Sequence, residues 1–242
     1  MEYRTFSYKE TNLRFCVQNP EALIEEVRKQ RKLLEAYIKQ YPLFATSLIP
    51  ISPQRNAPAI ALQMHKASEQ VGVGPMAAVA GAIAEKAARA GVGVVENGGD
   101  IFLYFSTAPV VVGLYVGKSA LSGKIGFKIP PEQMPLAICS SSGTMGHSLS
   151  FGKADLVTVF ASDGALADAA ATLGGNLINT ADDITPVLSH LCAIPGISAA
   201  WISVEGKVGF QGDLPPMVSL KDNKFYNKIT RSPDRGAWID LS

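Results

Sequence analysis

Residues 3–8 and 13–17 read as two short strands joined through Glu10-Thr11-Asn12. From Asn19 the apolar spacing lengthens: Leu23, Ile24, Val27, Leu34 and Ile38 keep an approximate helical stripe to about Gln40. Asn19 is a good N-cap and Pro20 suits the first helical position. Four prolines in residues 41–58 predict a connecting loop with a short extended piece. A second helix is expected over residues 59–70. A third, over 76–90, is opened by Gly74-Pro75 and closed by Gly91 as a C-cap. Ala77, Ala80, Gly81, Ala84, Ala87 and Ala88 keep that helix narrow enough to pack closely on a sheet. A hairpin follows, residues 92–96 and 100–105 about Asn97-Gly98-Gly99, where Asn-Gly supplies the positive φ that tight turns need.

The second half repeats this alternation of strands and helices. Strands are expected at 110–116, 124–129, 136–139 and 156–161, with Pro130-Pro131 between the second and third. A helix follows over 164–173. Thr180 to Asp183 resembles a capping box for another helix to about Cys192. Residues 199–204 and 208–211 form a hairpin around Glu205-Gly206-Lys207. Residues 212–242, with Pro215-Pro216 and many charges, read as an irregular tail. Strand pairs followed by helices, in two rounds, predict an α+β fold with a mainly antiparallel sheet. One domain is expected across residues 1–242, with its core in 59–211.

Composition narrows the function. The chain is 47% hydrophobic with net charge +1, and its basic residues form only the short Arg28–Lys32 run, read as the solvated face of the first helix. Nucleic acid and anionic membranes need clustered Lys and Arg, so neither is expected as a main partner. The uncharged run 101–117 is interrupted by Ser106-Thr107-Ala108-Pro109 and is short for a bilayer span; two strands and a turn describe it better. The polar N-terminal stretch lacks the apolar run of a signal peptide. Cys16, Cys139 and Cys192 are too few and too scattered for a disulfide framework or a structural zinc site. A cytoplasmic protein is the expectation.

Polar chemistry concentrates in residues 136–179. Cys139 to His147 offers a thiol, hydroxyls, a glycine-rich backbone and an imidazole. This loop suits backbone and hydroxyl cradling of phosphate better than a hydrolytic triad, because His147 has no assigned acid beyond the candidate Asp155. Asp168 and Thr172, four apart, share one helical face and offer hard oxygen ligands for Mg²⁺; the plainer reading is that Asp168 favours its own helix dipole, with Asp163 as N-cap. At Glu96-Asn97-Gly98-Gly99-Asp100, the glycines would let a ligand approach the backbone while an acid accepts its hydrogen bonds, although a plain turn also explains them. Gly72 to Ala77 matches a dinucleotide-binding glycine pattern, but polar helical residues precede it where a strand is required. His65, alone on a helix, reads as packing or surface.

Taken in order, VAGAIAEKAARAGVGVVENGGDI, AICSSSG, His147 and VTVFASDGALADAAAT resemble the ApbE superfamily, and more closely its short uncharacterised branch. The resemblance covers roughly residues 74–179. It implies a T-fold-like α+β architecture and Mg²⁺-dependent transfer of FMN from FAD to a threonine of an acceptor flavoprotein. Glu96, Asn97, Gly98, Gly99 and Asp100 would then help hold FAD, and Ser141, Ser142, Gly143 and Thr144 would position phosphate. Asp168 and Thr172 match the metal motif, and His147 stands for the catalytic histidine. The family's His-Ile-Ile-Asp-Pro segment is reduced here to His147-Ser148-Leu149. A non-catalytic cofactor-binding or oligomeric module that has lost transferase activity, and a small hydrolase using Cys139 or Ser142 with His147, are the alternatives. A homodimer would cover exposed sheet edges.

Overall fold

The structure, a computed structural model, describes residues 2–116, 119–143 and 152–220. Its elements begin with β1 (Arg4–Tyr8), β2 (Thr11–Val17), α1 (Pro20–Gln40), α2 (Leu43–Thr46), α3 (Ala59–Val71) and α4 (Val79–Gly91). There follow β3 (Gly93–Asn97), β4 (Asp100–Leu103), β5 (Val110–Gly113), β6 (Ile125–Ile129), β7 (Leu136–Ser141) and β8 (Leu156–Ala161). The described chain closes with α5 (Gly164–Leu177), α6 (Ile184–Cys192), β9 (Ile197–Val204), β10 (Lys207–Gly212) and β11 (Met217–Ser219).

Eight strands form one sheet in the order β1-β2-β3-β4-β7-β8-β9-β10, and β11-β6-β5 form a second. The pairings among these strands are antiparallel. This is the expected α+β class with mainly antiparallel sheet. The central strands are buried on both faces, as β8 shows: Val157, Val159 and Ala161 pack into the core beneath the helices, and Leu156 and Phe160 into a second core shared with the small sheet. Trp201, Phe127 and Phe160 anchor that second core, with the two phenylalanine rings edge to face at 5.0 Å.

Asn19 caps α1 by accepting the Ala22 N–H at 3.1 Å. The proline-rich connection after α1 contains the short α2, which the prolines around it hid from the sequence. His65 of α3 pins this connection. Its ring reaches Tyr37 Oη at 3.2 Å and the Ile51 carbonyl at 2.8 Å, and the Gln54 N–H donates to Tyr37 Oη at 3.1 Å. Burial lowers the His65 pKa while the Ile51 carbonyl opposes the shift, so this histidine is a packing residue. Residues 75–78 form a 3-10 turn ahead of α4 instead of its first turn. Gly91 is the last residue of α4, and Val92 takes the left-handed conformation (φ 56°) expected of Gly91. The reason is space: a Cβ on Gly91 would lie 3.0 Å from the Val17 side chain, and one on Gly93 2.2 Å from the Cys16 carbonyl oxygen. Within the stretch read as an irregular tail, Met217–Ser219 pairs with β6 as β11.

The small residues of α4 fit a helix as well as the sheet. A Cβ on Gly81 would sit 2.1 Å from the Gly164 carbonyl oxygen, and one on Gly164 2.4 Å from the Gly81 carbonyl oxygen. The N-terminal turns of α4 and α5 therefore meet backbone to backbone. Gly81→Ala should destabilise the protein by about 3 kcal/mol through forced separation of these helices. Gly98→Ala, at a positive φ with open space above it, should cost only about 1 kcal/mol. Urea titrations would check this ranking, and equal losses would contradict it.

Candidate functional site

The α4–α5 crossing, the β3–β4 turn and the end of β7 converge on two carboxyl groups, Asp168 and Asp100. Asp168 lies in the second turn of α5, whose N-cap is Asp163, accepting the Leu166 N–H at 2.9 Å. With that cap supplied, Asp168 serves the neighbouring helix. It accepts the Gly81 N–H of α4 at 2.8 Å, and the Ala80 N–H also reaches it. These are unpaired donors of the first turn of α4, where the helix dipole favours negative charge. Glu85 returns the favour: its carboxylate accepts the Gly164 N–H at the start of α5 at 2.8 Å. Gln63 and Arg89 also donate to Glu85, at 2.9 and 2.8 Å. Neither the sequence pattern nor the local spacing signalled this exchange; the only clue was a glycine near the start of each helix.

Asp100 is buried at the start of β4, where the register Ile101↔Ile138 sets it beside Cys139 and Ser140 of β7. The Ser140 N–H donates to it at 3.2 Å, and the Cys139 thiol, which reaches the Gly164 carbonyl at 3.7 Å, lies against it. Burial, followed by the Asp168 charge, pushes the Asp100 carboxyl well above the usual carboxylate range, against the pull of those two donors. Burial likewise raises Asp168 to about 7, while the Gly81 and Ala80 N–H groups pull the other way.

The turn residues sit one place later than expected. Gly98 and Gly99 are the central pair, with φ of +67° and +109°, and Asn97 pairs with Asp100. Asn97 is drawn inward because its side-chain amide donates to the Ala80 carbonyl at 3.0 Å, which ties the turn to α4. Glu96 accepts the Gly99 N–H at 2.8 Å and braces the turn from within. Among the described residues no atom lies within 4 Å of where a Cβ on either glycine would sit, the condition for a ligand to approach their backbone. Ser141 ends β7 opposite Val157, Ser142 follows it, and Gly143 donates to the Ala154 carbonyl at 3.0 Å. Thr144 and His147 lie outside the described residues. The structure thus brings Asn97, Gly98, Gly99, Asp100 and Asp168 to one region, with Thr172 one turn further along α5.

Cys139 is fully buried, and its thiol is pushed well up by burial and by the neighbouring Asp100 and Asp168. A thiol held this way is a hydrogen-bond donor, not a nucleophile, which removes Cys139 from the hydrolase alternative. The glycines at 72 and 74 bind no dinucleotide by the usual device, because α3 leads into them instead of a strand. Gly72 caps that helix at φ +85°, and Gly74 clears the Ser47 carbonyl.

Asp168 and Thr172 supply two hard oxygen donors one helical turn apart. Two N–H groups occupy part of the Asp168 carboxylate and leave lone pairs for a cation. Among the described residues, no group of three or more His, Cys, Asp or Glu could hold a metal by itself. A pair of protein oxygens nevertheless fits Mg²⁺, which takes the rest of its shell from water and phosphate. Zinc would require more and softer donors.

Solved structures with a similar arrangement of strands and helices include ApbE proteins. That of Thermotoga maritima superposes with a TM-score of 0.54 at 14% identity, covering 88% of this chain and 97% of that one. The apo flavinyl transferase ApbE of Pseudomonas stutzeri gives 0.53 at 12% identity, covering 91% and 95%. The fold is therefore that of ApbE proteins. The chain belongs to the family described as AbpE bacteria, whose model matches residues 3–191. Among curated relatives, the UPF0280 protein MJ1526 of Methanocaldococcus jannaschii is 41% identical over 87% of this chain and 90% of its own length. The UPF0280 protein MK0206 of Methanopyrus kandleri is 44% identical over 82% and 84%. No helix among the described residues is long and apolar enough to cross a membrane.

The raised Asp168 pKa sets a pH dependence for the metal-free protein. Between pH 4 and 7 the folded state holds a proton that the unfolded state releases, so stability should fall as pH rises through this window and level off above it. The loss should be at most about 4 kcal/mol. Asp168→Asn, which still offers α4 an acceptor, should make the profile shallower, with buried Asp100 supplying the slope that remains; an unchanged slope in denaturation measured across this range would contradict the assignment.

Proposed function

We propose that this chain binds a phosphorylated flavin-type cofactor, FAD or a close relative, together with Mg²⁺, and transfers FMN to an acceptor flavoprotein. The observation that supports it most is the convergence of Asp168, the Asn97–Asp100 turn and the end of β7 around the α4–α5 crossing, in a fold shared with proteins named flavin transferases. Asp168 and Thr172 would hold the metal ion, and the backbone of Gly98 and Gly99 would lie against the cofactor. Ser141, Ser142, Gly143 and Thr144 would orient phosphate oxygens through hydroxyls and N–H groups. When bound, Mg²⁺ would neutralise charge on the pyrophosphate.

Asp100 stays buried behind these groups and keeps its carboxyl protonated more readily than an exposed acid would. That limits the negative charge facing an incoming phosphate while leaving Asp168 to meet the cation. His147 would take the proton from the attacking threonine hydroxyl of the acceptor. The bond formed is threonine oxygen to the FMN phosphorus, the bond broken is the pyrophosphate linkage, and AMP leaves.

Flavin fluorescence and thermal shift, with and without Mg²⁺, provide the test. FAD should raise the melting temperature in a Mg²⁺-dependent way. Thr172→Val, which preserves shape and leaves the α4 cap intact, should weaken Mg²⁺-dependent binding at least tenfold, and Asp168→Ala more. His147→Ala should keep binding and lose AMP release. Equal FAD affinity in wild type and both metal-site variants would contradict the metal assignment; binding without AMP release in the wild type would leave a cofactor-binding module.

A further inference from the structure

The two edges of the large sheet are finished differently. At one edge, charged groups flank β1: Arg28 lies over the Phe6 ring at 5.7 Å, Arg14 over the Tyr3 ring at 3.9 Å, and Lys9 pairs with Glu35. Charge of this kind is a usual guard against edge-to-edge pairing. The opposite edge, β10, is six residues long and has no described strand outside it. Its central side chains are apolar and exposed, Val208 at 41% and Phe210 at 58%.

The register of the β9–β10 hairpin identifies which backbone groups face outward. Glu205 and Gly206 form a two-residue turn with φ of 52° and 74°, closed by the pair Val204↔Lys207. The Asp213 N–H donates to the Ser198 carbonyl at 2.9 Å. In an antiparallel ladder the hydrogen-bonded pairs recur every second residue, so Lys207, Gly209, Gln211 and Asp213 turn their N–H and C=O groups toward β9. Val208 and Phe210 therefore turn theirs outward, and Gly212 its N–H, while the Gly212 carbonyl accepts the Leu214 N–H at 3.1 Å. The same two exposed residues that carry the apolar side chains also carry the open ladder. Phe210 lies opposite Trp201, on the face of the second core.

We propose that β10 is the interface between two copies of this chain, pairing antiparallel with itself about a two-fold axis at Phe210. The occupant is a second copy because this strand complements itself. With Phe210 opposite its counterpart, Val208 faces Gly212, so the outward groups of Phe210 meet each other and each Val208 carbonyl meets a Gly212 N–H. That register also sets Lys207 of each copy opposite Asp213 of the other, giving two opposite-charge pairs. A slip that sets Val208 opposite Phe210 also matches the ladder, but it brings Glu205 opposite Asp213 and is disfavoured by like charge. The Phe210 rings would meet on the axis, removing from water the apolar surface that β10 exposes. The result is a continuous sheet through both copies, with the α4–α5 site of each left unobstructed on its helical side.

Sedimentation velocity on the full chain over a range of concentrations tests this. The wild type should be a dimer in the micromolar range, and Phe210→Glu should be monomeric with an unchanged far-ultraviolet spectrum. Lys207→Glu and Asp213→Lys should each weaken dimerisation several-fold, and the double reversal should recover it. If Phe210→Glu does not fold, the charge-reversal set decides the matter alone. A monomeric wild type, a dimer indifferent to Phe210→Glu, or a failure of the double reversal to recover what the single changes lose would each overturn the proposal. Because flavin binding is read separately in the same variants, loss of the dimer with binding intact separates this interface from the cofactor site.

Discussion

The site depends on the close contact of α4 and α5 at Gly81 and Gly164. Each backbone occupies the space where the other glycine would carry a Cβ. Two helix N-termini pressed together would repel through their dipoles and leave unpaired N–H donors out of water. An exchange of carboxylates relieves both costs: Asp168 of α5 satisfies α4, and Glu85 of α4 satisfies α5. The crossing and the exchange require one another, since neither acid reaches its donors if the helices separate.

That exchange has a consequence for chemistry. It places a half-buried acid, already aimed at N–H groups, beside the buried acid Asp100. Two carboxyl groups in such a setting are poorly tolerated as a pair of anions, and both are shifted toward the protonated form. A divalent cation bound with phosphate, as proposed, would offset this cost. The Asn97–Ala80 bond and the Glu96–Gly99 bond fix the neighbouring turn to the same crossing, so the glycine backbone and the carboxylate keep a constant relation. Outside this region the protein is a conventional antiparallel sheet with one face under helices and the other under a small second sheet.

Local signals made the outer framework legible. The start of α1 was readable because Asn19 and Pro20 act within one turn, and the Thr180–Asp183 box because its partners are three residues apart. The β9–β10 hairpin followed from strand pattern and turn chemistry. The sequence could not show the partner of Asp168, whose donor lies 87 residues away, so the acid read as serving its own helix or a metal. The turn at Asn97 was displaced by one residue because its preference for positive φ lost to a tertiary bond with Ala80. Strand β11, three residues beside two prolines, carries too little pattern to be seen, and Gly91 looked like a cap because packing demands on a glycine leave no local mark.

A crystal structure grown with FAD and Mn²⁺, used as an anomalous stand-in for Mg²⁺, would test the site most directly. The expected result is an anomalous peak within about 2.2 Å of the Asp168 carboxylate and the Thr172 hydroxyl, with flavin pyrophosphate oxygens completing its shell beside the Gly98-Gly99 turn. A metal peak elsewhere, or FAD bound away from the α4–α5 crossing, would contradict it.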